Sequence, residues 1–118
     1  AFDARRLSAP NVTFWTAWND ELLMGCAALK EISPTEGEIK SMRTPSALRR
    51  SGVGRALLNH VIEVGRSRAY HVIYLETGPN SAFAPAQALY RSAGFELCGP
   101  FGSYQENGNS VFMSLWLT

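Results

Sequence analysis

The sequence lacks several features that would point to a specialised class of protein. The chain has 118 residues, with 11 Lys and Arg against 10 Asp and Glu, a formal net charge of +1. A charge this balanced predicts no basic surface for nucleic acid or an anionic membrane. Its apolar runs, such as residues 25–29, are far shorter than the roughly 20 residues that cross a bilayer. No signal peptide opens the chain, so the sequence predicts a cytoplasmic protein without nucleic-acid or membrane partners.

Cysteine and histidine are also scarce. Cys26 and Cys98 lie far apart, and His60 and His71 have no Cys, Asp or Glu at the spacing of metal ligands. Two cysteines form neither a disulfide framework nor, without histidine partners, a zinc site. The sequence therefore predicts two buried free thiols and no metal.

What is present is the composition of an ordinary globular protein, with 46% hydrophobic and 18% charged residues. Proline and glycine are scattered as turn residues, and no repeat or linker interrupts the chain. These features predict one domain over residues 1–118.

Hydrophobic periodicity predicts eight elements in the order β-β-β-α-β-α-β-β. The predicted strands are residues 12–18, 22–32, 38–44, 71–76, 95–98 and 111–117, and the predicted helices are residues 53–69 and 82–93. The strand at 71–76 is almost entirely apolar, which favours burial of both of its faces.

A glycine-rich segment carries the clearest chemical signal. The segment is Arg49-Arg50-Ser51-Gly52-Val53-Gly54-Arg55, between a predicted strand and a predicted helix. Backbone N–H groups at a helix start have no partner within the helix and bind anions. The two glycines let a phosphate approach the main chain, and the three arginines add positive charge. The alternative is an ordinary helix start with solvated arginines.

The glycine spacing separates three kinds of phosphate-binding loop. A Walker loop needs Lys-Ser/Thr after its last glycine, and a dinucleotide fingerprint needs a third glycine where Leu57 stands. The remaining pattern is Arg/Gln-x-x-Gly-x-Gly/Ala, filled by Arg49, Gly52 and Gly54. With it the sequence resembles the GNAT N-acetyltransferase superfamily.

Two further segments carry the same resemblance. Residues 86–95, AQALYRSAGF, are similar to the family's A-x-x-L-Y-x-x-x-G-F helix and strand entry. The strand at residues 38–43 is similar to the strand that precedes the family's pyrophosphate loop. The resemblance covers about residues 12–118.

The resemblance implies an α/β (α+β) fold, a mixed, twisted sheet flanked by helices whose two central parallel strands splay apart around acetyl-CoA. The diphosphate would lie on the amides of Arg50 to Arg55, and the pantetheine would pair like an extra strand with Met42, Arg43 and Thr44. The implied activity is acetyl transfer from acetyl-CoA to a primary amine, with a small molecule favoured as acceptor, by direct attack in a ternary complex.

Such a reaction needs a base for the amine and an acid for the thiolate. Glu38 stands where some family members carry the base, and strand alternation predicts that it shares a face with Lys40 and Met42. Its alternative is a solvated carboxylate paired with Lys40. Tyr90 occupies the family's tyrosine position, which implies contact with the cofactor and protonation of the thiolate; its alternative is a structural helix tyrosine. Glu76 is the reserve base, although a structural hydrogen bond is favoured for it.

The sequence departs from the family pattern in two places. Phe83 stands where the family often has an asparagine, and Asn80 lies three residues earlier. Only Ala1 to Asn11 precede the hairpin, where family members usually have a strand and one or two helices. Because so few residues precede it, the strand at residues 12–18 is predicted to have an uncovered edge. This strand is apolar on both faces, so such an edge needs a cover. We therefore expect either a longer protein or a homodimer that covers this edge.

The acceptor is the least determined part of the prediction. The loop at residues 100–110 is expected to border the acceptor pocket, with Tyr104, Gln105 and Asn109 as candidate contacts, or to be a plain connection. Two other functions stay open at this point, a non-catalytic acyl-CoA-binding module and a structural dimerisation domain.

Overall fold

The computed structural model describes residues 3–44 and 52–118, and these residues form one seven-stranded sheet with helices. The strands are β1 (Asp3–Ala9), β2 (Val12–Asn19), β3 (Leu22–Ser33), β4 (Glu36–Arg43), β5 (Val72–Thr77), β6 (Glu96–Cys98) and β7 (Val111–Trp116). The helices are α1 (Val53–Ser67) and α2 (Ala84–Ser92), the latter preceded by a 3-10 turn, Ser81–Phe83. The mixed α+β fold is the one predicted.

The strands lie in the order β1-β2-β3-β4-β5-β7-β6. Only β4 and β5 are parallel, and the other neighbours are antiparallel. A parallel pair needs a crossover connection, and α1 supplies it between β4 and β5. No helix of the described residues is long and apolar enough to span a bilayer.

The amino-terminal end differs from the prediction. β1 pairs with β2 along its whole length, from Asp3 opposite Trp18 to Ala9 opposite Val12. Residues 6–10 are exposed, so this strand has none of the apolar alternation that reveals a half-buried strand. β1 corrects the prediction that the chain lacks an amino-terminal strand, and it covers the edge of β2. The homodimer stays a prediction, without the support that an open β2 edge would give it.

The sheet has two differently covered faces. α1 and α2 pack on one face, here called the helix face, where Trp15, Leu29, Ile39 and Leu75 join the buried core. On the other face, here called the loop face, residues 99–110 cover β5 and β7. Phe101 lies there with its ring stacked on Tyr74, 4.5 Å between centroids. Because both faces are covered, β5 is as buried as its apolar sequence predicted.

The two central strands separate before they end. β4 pairs with β5 from Glu36 opposite Val72 to Ile39 opposite Leu75, and no further. β4 nevertheless continues to Arg43 and β5 to Thr77. The sheet therefore opens into a gap between these two strands, as the resemblance implied.

A bulge in β4 lies at the start of this gap. Leu29 of β3 is opposite Ile39, while the preceding Ala28 is opposite Ser41, so Lys40 is an extra residue in β4. An extra residue reverses the alternation of the side chains that follow it. Met42 therefore packs against the core of the helix face, and the prediction that it shares a face with Glu38 is wrong.

Candidate active site

The start of α1 offers unpaired backbone donors. The first bond within the helix runs from the Ala56 N–H to the Gly52 carbonyl at 3.0 Å. The N–H groups of Val53, Gly54 and Arg55 precede it and have no acceptor within the helix. No acidic residue lies in this first turn. The helix start is therefore suited to bind an anion. Of the predicted anion ligands, Arg49, Arg50 and Ser51 lie outside the described residues.

The two glycines at this helix start have different roles. Gly52 has φ 90° and caps the helix in the left-handed region, where residues with a side chain are strained. A Cβ added to Gly54 would lie 3.3 Å from Leu89 Cδ2 and 3.8 Å from Thr44 Oγ1. Gly54 thus lets the helix start lie close to α2 and to the end of β4, which brings the three elements together.

The end of β4 presents a free backbone edge to the gap. Residues 40–43 have no register partner on β5, so their backbone groups on that side are available to an extended ligand. On the other side the strand is tightly packed, because a Cβ at Gly25 would lie 2.8 Å from the Arg43 carbonyl oxygen. The predicted pantetheine contacts Met42, Arg43 and Thr44 all lie in this segment or directly after it.

Tyr90 lies on the helix face of the sheet. It is 8% exposed and joins the core cluster, with its ring centroid 5.9 Å from that of Phe95. Burial raises the pKa of the Tyr90 phenol. The side chain therefore stays protonated at neutral pH, as a proton donor must be.

The turn before α2 uses Asn80 in a structural role. The Asn80 side chain accepts a hydrogen bond from the Ala82 N–H at 3.1 Å and so caps the 3-10 turn. Phe83, which replaces the family's asparagine, is 41% exposed. A Cβ at Gly78 would lie 2.2 Å from the Phe83 ring, so the turn after β5 leaves no room for a side chain at residue 78 while the ring keeps this position.

Glu38 lies on the loop face and is buried rather than solvated, with 4% of its surface exposed. The Tyr104 hydroxyl donates to Glu38 Oε2 at 2.7 Å, and Lys40 Nζ lies 3.6 Å from the same oxygen. Lys40 Nζ also donates to the Tyr104 oxygen at 3.0 Å. Glu38 therefore has the predicted Lys40 partner and a second one, Tyr104, that sequence reasoning did not connect to it.

The surroundings of Lys40 and Tyr104 favour one protonation state of each side chain. The hydrogen bond to Tyr104 is the main cause that raises the pKa of Lys40, so its ammonium form is favoured. Burial is the main cause that raises the pKa of the Tyr104 phenol, so its neutral form is favoured. Lys40 as an ammonium and Tyr104 as a neutral phenol thus lie against the Glu38 carboxyl group.

An open pocket lies at the carboxyl end of β5. Its volume is about 470 Å³, and its lining includes Glu76, Asn80, Phe83, Asn109 and Ser110. Ser110 Oγ donates to Glu76 Oε2 at 2.5 Å, the kind of structural hydrogen bond that was favoured for Glu76. Of the three predicted acceptor contacts, Asn109 lines this pocket, Tyr104 contacts Glu38 and Gln105 is exposed.

Two further predictions concern the cysteines and a metal site. Cys26 and Cys98 are free thiols, each partly rather than fully buried. Among the described residues no three His, Cys, Asp or Glu side chains gather as a metal site would require; that the protein uses no metal stays a prediction.

Comparison with known proteins identifies the family. A model of the Acetyltransferase (GNAT) family matches residues 1–95. The chain is 47% identical to YsnE, an uncharacterised N-acetyltransferase of Bacillus subtilis (strain 168), over 97% of this chain and 76% of that protein. It also resembles the crystal structure of a putative acyl-CoA N-acyltransferase from Klebsiella pneumoniae, with a TM-score of 0.85 and 28% identity over 95% of this chain and 77% of that one.

A third similarity concerns the fold alone. A Bacillus subtilis acetyltransferase in complex with CoA has a TM-score of 0.77 and 24% identity, over 92% of this chain and 78% of that one. Taken together, these matches show that the chain belongs to the GNAT family of acetyltransferases. It is an N-acetyltransferase.

Proposed function

We propose that the protein transfers the acetyl group of acetyl-CoA to the primary amine of a small molecule, by direct attack of the amine while both substrates are bound. The observation that carries this proposal is the gap between β4 and β5, which opens near the start of α1, where no side chain in the described part of the chain accepts from the first N–H groups. The gap can take the extended pantetheine arm, and the helix start can take the diphosphate.

The described residues fit CoA on three counts. The N–H groups of Gly54 and its two neighbours, Val53 and Arg55, are free of helix partners. The backbone of Met42 to Thr44 lies along the unpaired edge of β4. Gly52 leaves open space at the helix start, since a Cβ added there would meet none of the described atoms within 4 Å. In the sequence it follows Arg49, Arg50 and Ser51, the other proposed diphosphate ligands. These residues, with Tyr90, are the proposed cofactor site.

The proposed acid and base lie on opposite faces of the sheet. Acetyl-CoA supplies the thioester, whose carbonyl carbon the amine attacks. Glu38, on the loop face, takes the proton that the amine loses as the C–N bond forms. Tyr90, on the helix face, gives a proton to the thiolate as the C–S bond breaks. Proton transfer from a phenol to a thiolate of pKa about 8.5 costs at least about 2 kcal/mol, which an enzyme can supply.

The pocket supports a small molecule as acceptor. Its volume of about 470 Å³ lies within the range of roughly 300–1,000 Å³ that is usual for small-molecule sites. The exposed carboxylate of Glu76 lies at its edge, where it suits a positively charged acceptor.

The proposal is tested with purified protein, acetyl-CoA and a panel of primary amines, with the acetylated product detected by mass spectrometry. Glu38→Gln is expected to lower kcat about 100-fold, which leaves a measurable rate, while acetyl-CoA still raises the melting temperature. The matched control is Glu63→Gln on α1, an exposed carboxylate whose ion pair with Arg66 lies at the surface, and it should leave turnover unchanged.

Each failure of this test selects another function. Stabilisation by acetyl-CoA without acetylation of any amine would favour an acyl-CoA-binding module. No stabilisation by acetyl-CoA would favour a structural dimerisation domain. Full activity of Glu38→Gln would remove Glu38 as the base.

Two further predictions accompany this function. Free Cys26 and Cys98 are typical of a reducing compartment, which supports a cytoplasmic location. A homodimer would now use β1 as the outer strand of the sheet, where Leu7 is 70% exposed.

A further inference from the structure

The proposed base does not reach the surface of the molecule. The Glu38 side chain is 5% exposed, and the Tyr104 hydroxyl lies on its Oε2 at 2.7 Å. A general base must come within hydrogen-bond distance of the proton that it removes. Tyr104 is only partly buried, and its oxygen accepts a solvent-exposed hydrogen bond from Lys40 Nζ, so an acceptor molecule can contact the Tyr104 oxygen more easily than the Glu38 carboxylate.

The direction of the hydrogen bonds in this trio is fixed by chemistry. An ammonium group has donors only, so the Tyr104 oxygen must accept from Lys40 Nζ, 3.0 Å away. The single hydroxyl proton of Tyr104 therefore goes to Glu38, which as a carboxylate has acceptors only. The second lone pair of the Tyr104 oxygen is left for another donor, such as an amine N–H.

The position of Tyr104 is also fixed, by aromatic packing on the loop face. Its ring centroid lies 5.1 Å from that of Phe101 and 5.7 Å from that of Phe112. Its two polar partners, Glu38 and Lys40, flank Ile39, the last residue at which β4 pairs with β5. The hydroxyl is thus held where the gap for the thioester begins.

We propose that Tyr104 relays the proton of the acceptor amine to Glu38. The proton leaves the amine nitrogen for the Tyr104 oxygen as the Tyr104 proton moves to Glu38 Oε2, and the C–N bond forms in the same step. Tyr104 is neutral before and after, and Glu38 ends as a carboxylic acid. The relay rests on the proposed function, since it requires Glu38 to be the base.

The test compares Tyr104→Phe with the wild-type protein in the amine assay. Because phenylalanine keeps the ring and loses only the hydroxyl, kcat is expected to fall about 100-fold, with KM for the amine changed less than about threefold. In the double variant, kcat should be no lower than in Glu38→Gln alone, because both substitutions interrupt the same relay. The solvent isotope dependence of kcat should indicate two protons in flight in the wild type and not in Tyr104→Phe.

Two other variants separate a relay from a structural role. Lys40→Met keeps Tyr104 and Glu38 but frees the hydroxyl to turn, so kcat should fall by about tenfold. Tyr70→Phe is the matched control, since the Tyr70 hydroxyl donates to Glu31 Oε1 at 2.8 Å, another tyrosine–carboxylate pair away from the gap. It should lower the melting temperature and leave kcat unchanged.

The possible failures are distinguishable. If Glu38→Gln loses activity and Tyr104→Phe is as active as the wild type or more so, Tyr104 shields Glu38 without transferring a proton, and the inference is wrong. If the losses of the two variants multiply, they act separately and the relay is again wrong. If Glu38→Gln is fully active, or no amine is acetylated, the proposed function itself fails.

Discussion

At the scale of single residues, the two tyrosines proposed for proton transfer differ in what surrounds them. Tyr90 lies among apolar side chains of the helix face, whereas Tyr104 is held between a carboxylate and an ammonium. Burial raises the pKa of both phenols. An apolar site leaves the Tyr90 proton available to a leaving group, while the Tyr104 proton is already committed to Glu38. The two residues therefore suit different proton transfers.

The role of Tyr90 is tested by Tyr90→Phe. We expect kcat to fall about 100-fold because the thiolate leaves without a proton donor, while acetyl-CoA affinity changes little. Wild-type turnover should be lost only as the pH rises above about 10, since the pKa of Tyr90 is raised above that ordinary value. Turnover by Tyr90→Phe that equals wild type at every pH would show that Tyr90 is structural.

The sequence could predict where residues of local motifs lie in the fold. Gly52 and Gly54 are at the start of α1 and Tyr90 is on α2, as predicted, because a helix start and a helix face are local properties of the chain; their roles in the site stay predictions. The contact between Glu38 and Tyr104 joins residues 66 positions apart. This contact depends on how the loop at residues 99–110 folds over the sheet, and the spacing of residues in the sequence does not predict the path of that loop.

At the scale of elements, the candidate site depends on two irregularities of β4. One is the bulge at Lys40, and the other is the separation of β4 from β5 before either strand ends. The bulge at Lys40 reverses the side chains of β4 just where that strand leaves β5. The alternation of residues 38–43 gives no sign of it, which is why Met42 was assigned to the wrong face. β1 was missed for a related reason, because its exposed residues show no apolar period. Long periodic elements such as α1 were predicted to within about two residues.

The start of α1 is tested by a matched pair of variants at Gly54. Gly54→Ala adds a Cβ, which would meet Leu89 Cδ2 at 3.3 Å, and keeps the N–H. Gly54→Pro adds bulk at the same place and removes the N–H, at the second helical position, where α2 already carries Pro85. If the N–H binds the diphosphate, Gly54→Pro should bind acetyl-CoA about tenfold more weakly than Gly54→Ala.

Isothermal titration calorimetry measures this difference directly. Circular dichroism of both variants checks that α1 still forms, because proline is tolerated in the first turn of a helix. Equal affinities in the two variants would remove the Gly54 amide from the cofactor site.

At the scale of the whole molecule, the sheet separates the residues proposed for the two halves of the reaction. α1 and α2 lie on the helix face with Tyr90, and the loop at residues 99–110 lies on the loop face with Glu38 and Tyr104. The gap between β4 and β5 is the opening that joins the two faces. A nucleotide bound at the α1 start and an amine bound beside the loop can therefore meet in the gap without competing for space.

Burial of the tyrosines on both faces also predicts how the whole fold responds to alkali. All four tyrosines, Tyr70, Tyr74, Tyr90 and Tyr104, have a raised pKa, with burial as the main cause. In the unfolded chain they lose their protons at about pH 10, whereas in the folded protein they keep them to higher pH. The unfolded state then binds fewer protons, so the free energy of unfolding falls as the pH rises. Lys40, whose pKa is also raised, acts in the same direction.

We therefore expect that these groups change the free energy of unfolding, measured in urea, little below about pH 9. Above about pH 10 the free energy of unfolding should fall steadily as the pH rises. Far-ultraviolet circular dichroism follows the unfolding, and tyrosinate absorbance follows the ionisation. Tyr70→Phe should lessen the alkaline loss, because Tyr70 is only 1% exposed and its removal leaves one fewer buried phenol to ionise. Tyrosines that ionise at the same pH in the native and the urea-unfolded protein would contradict the explanation, since the fold would then not disfavour their charged form.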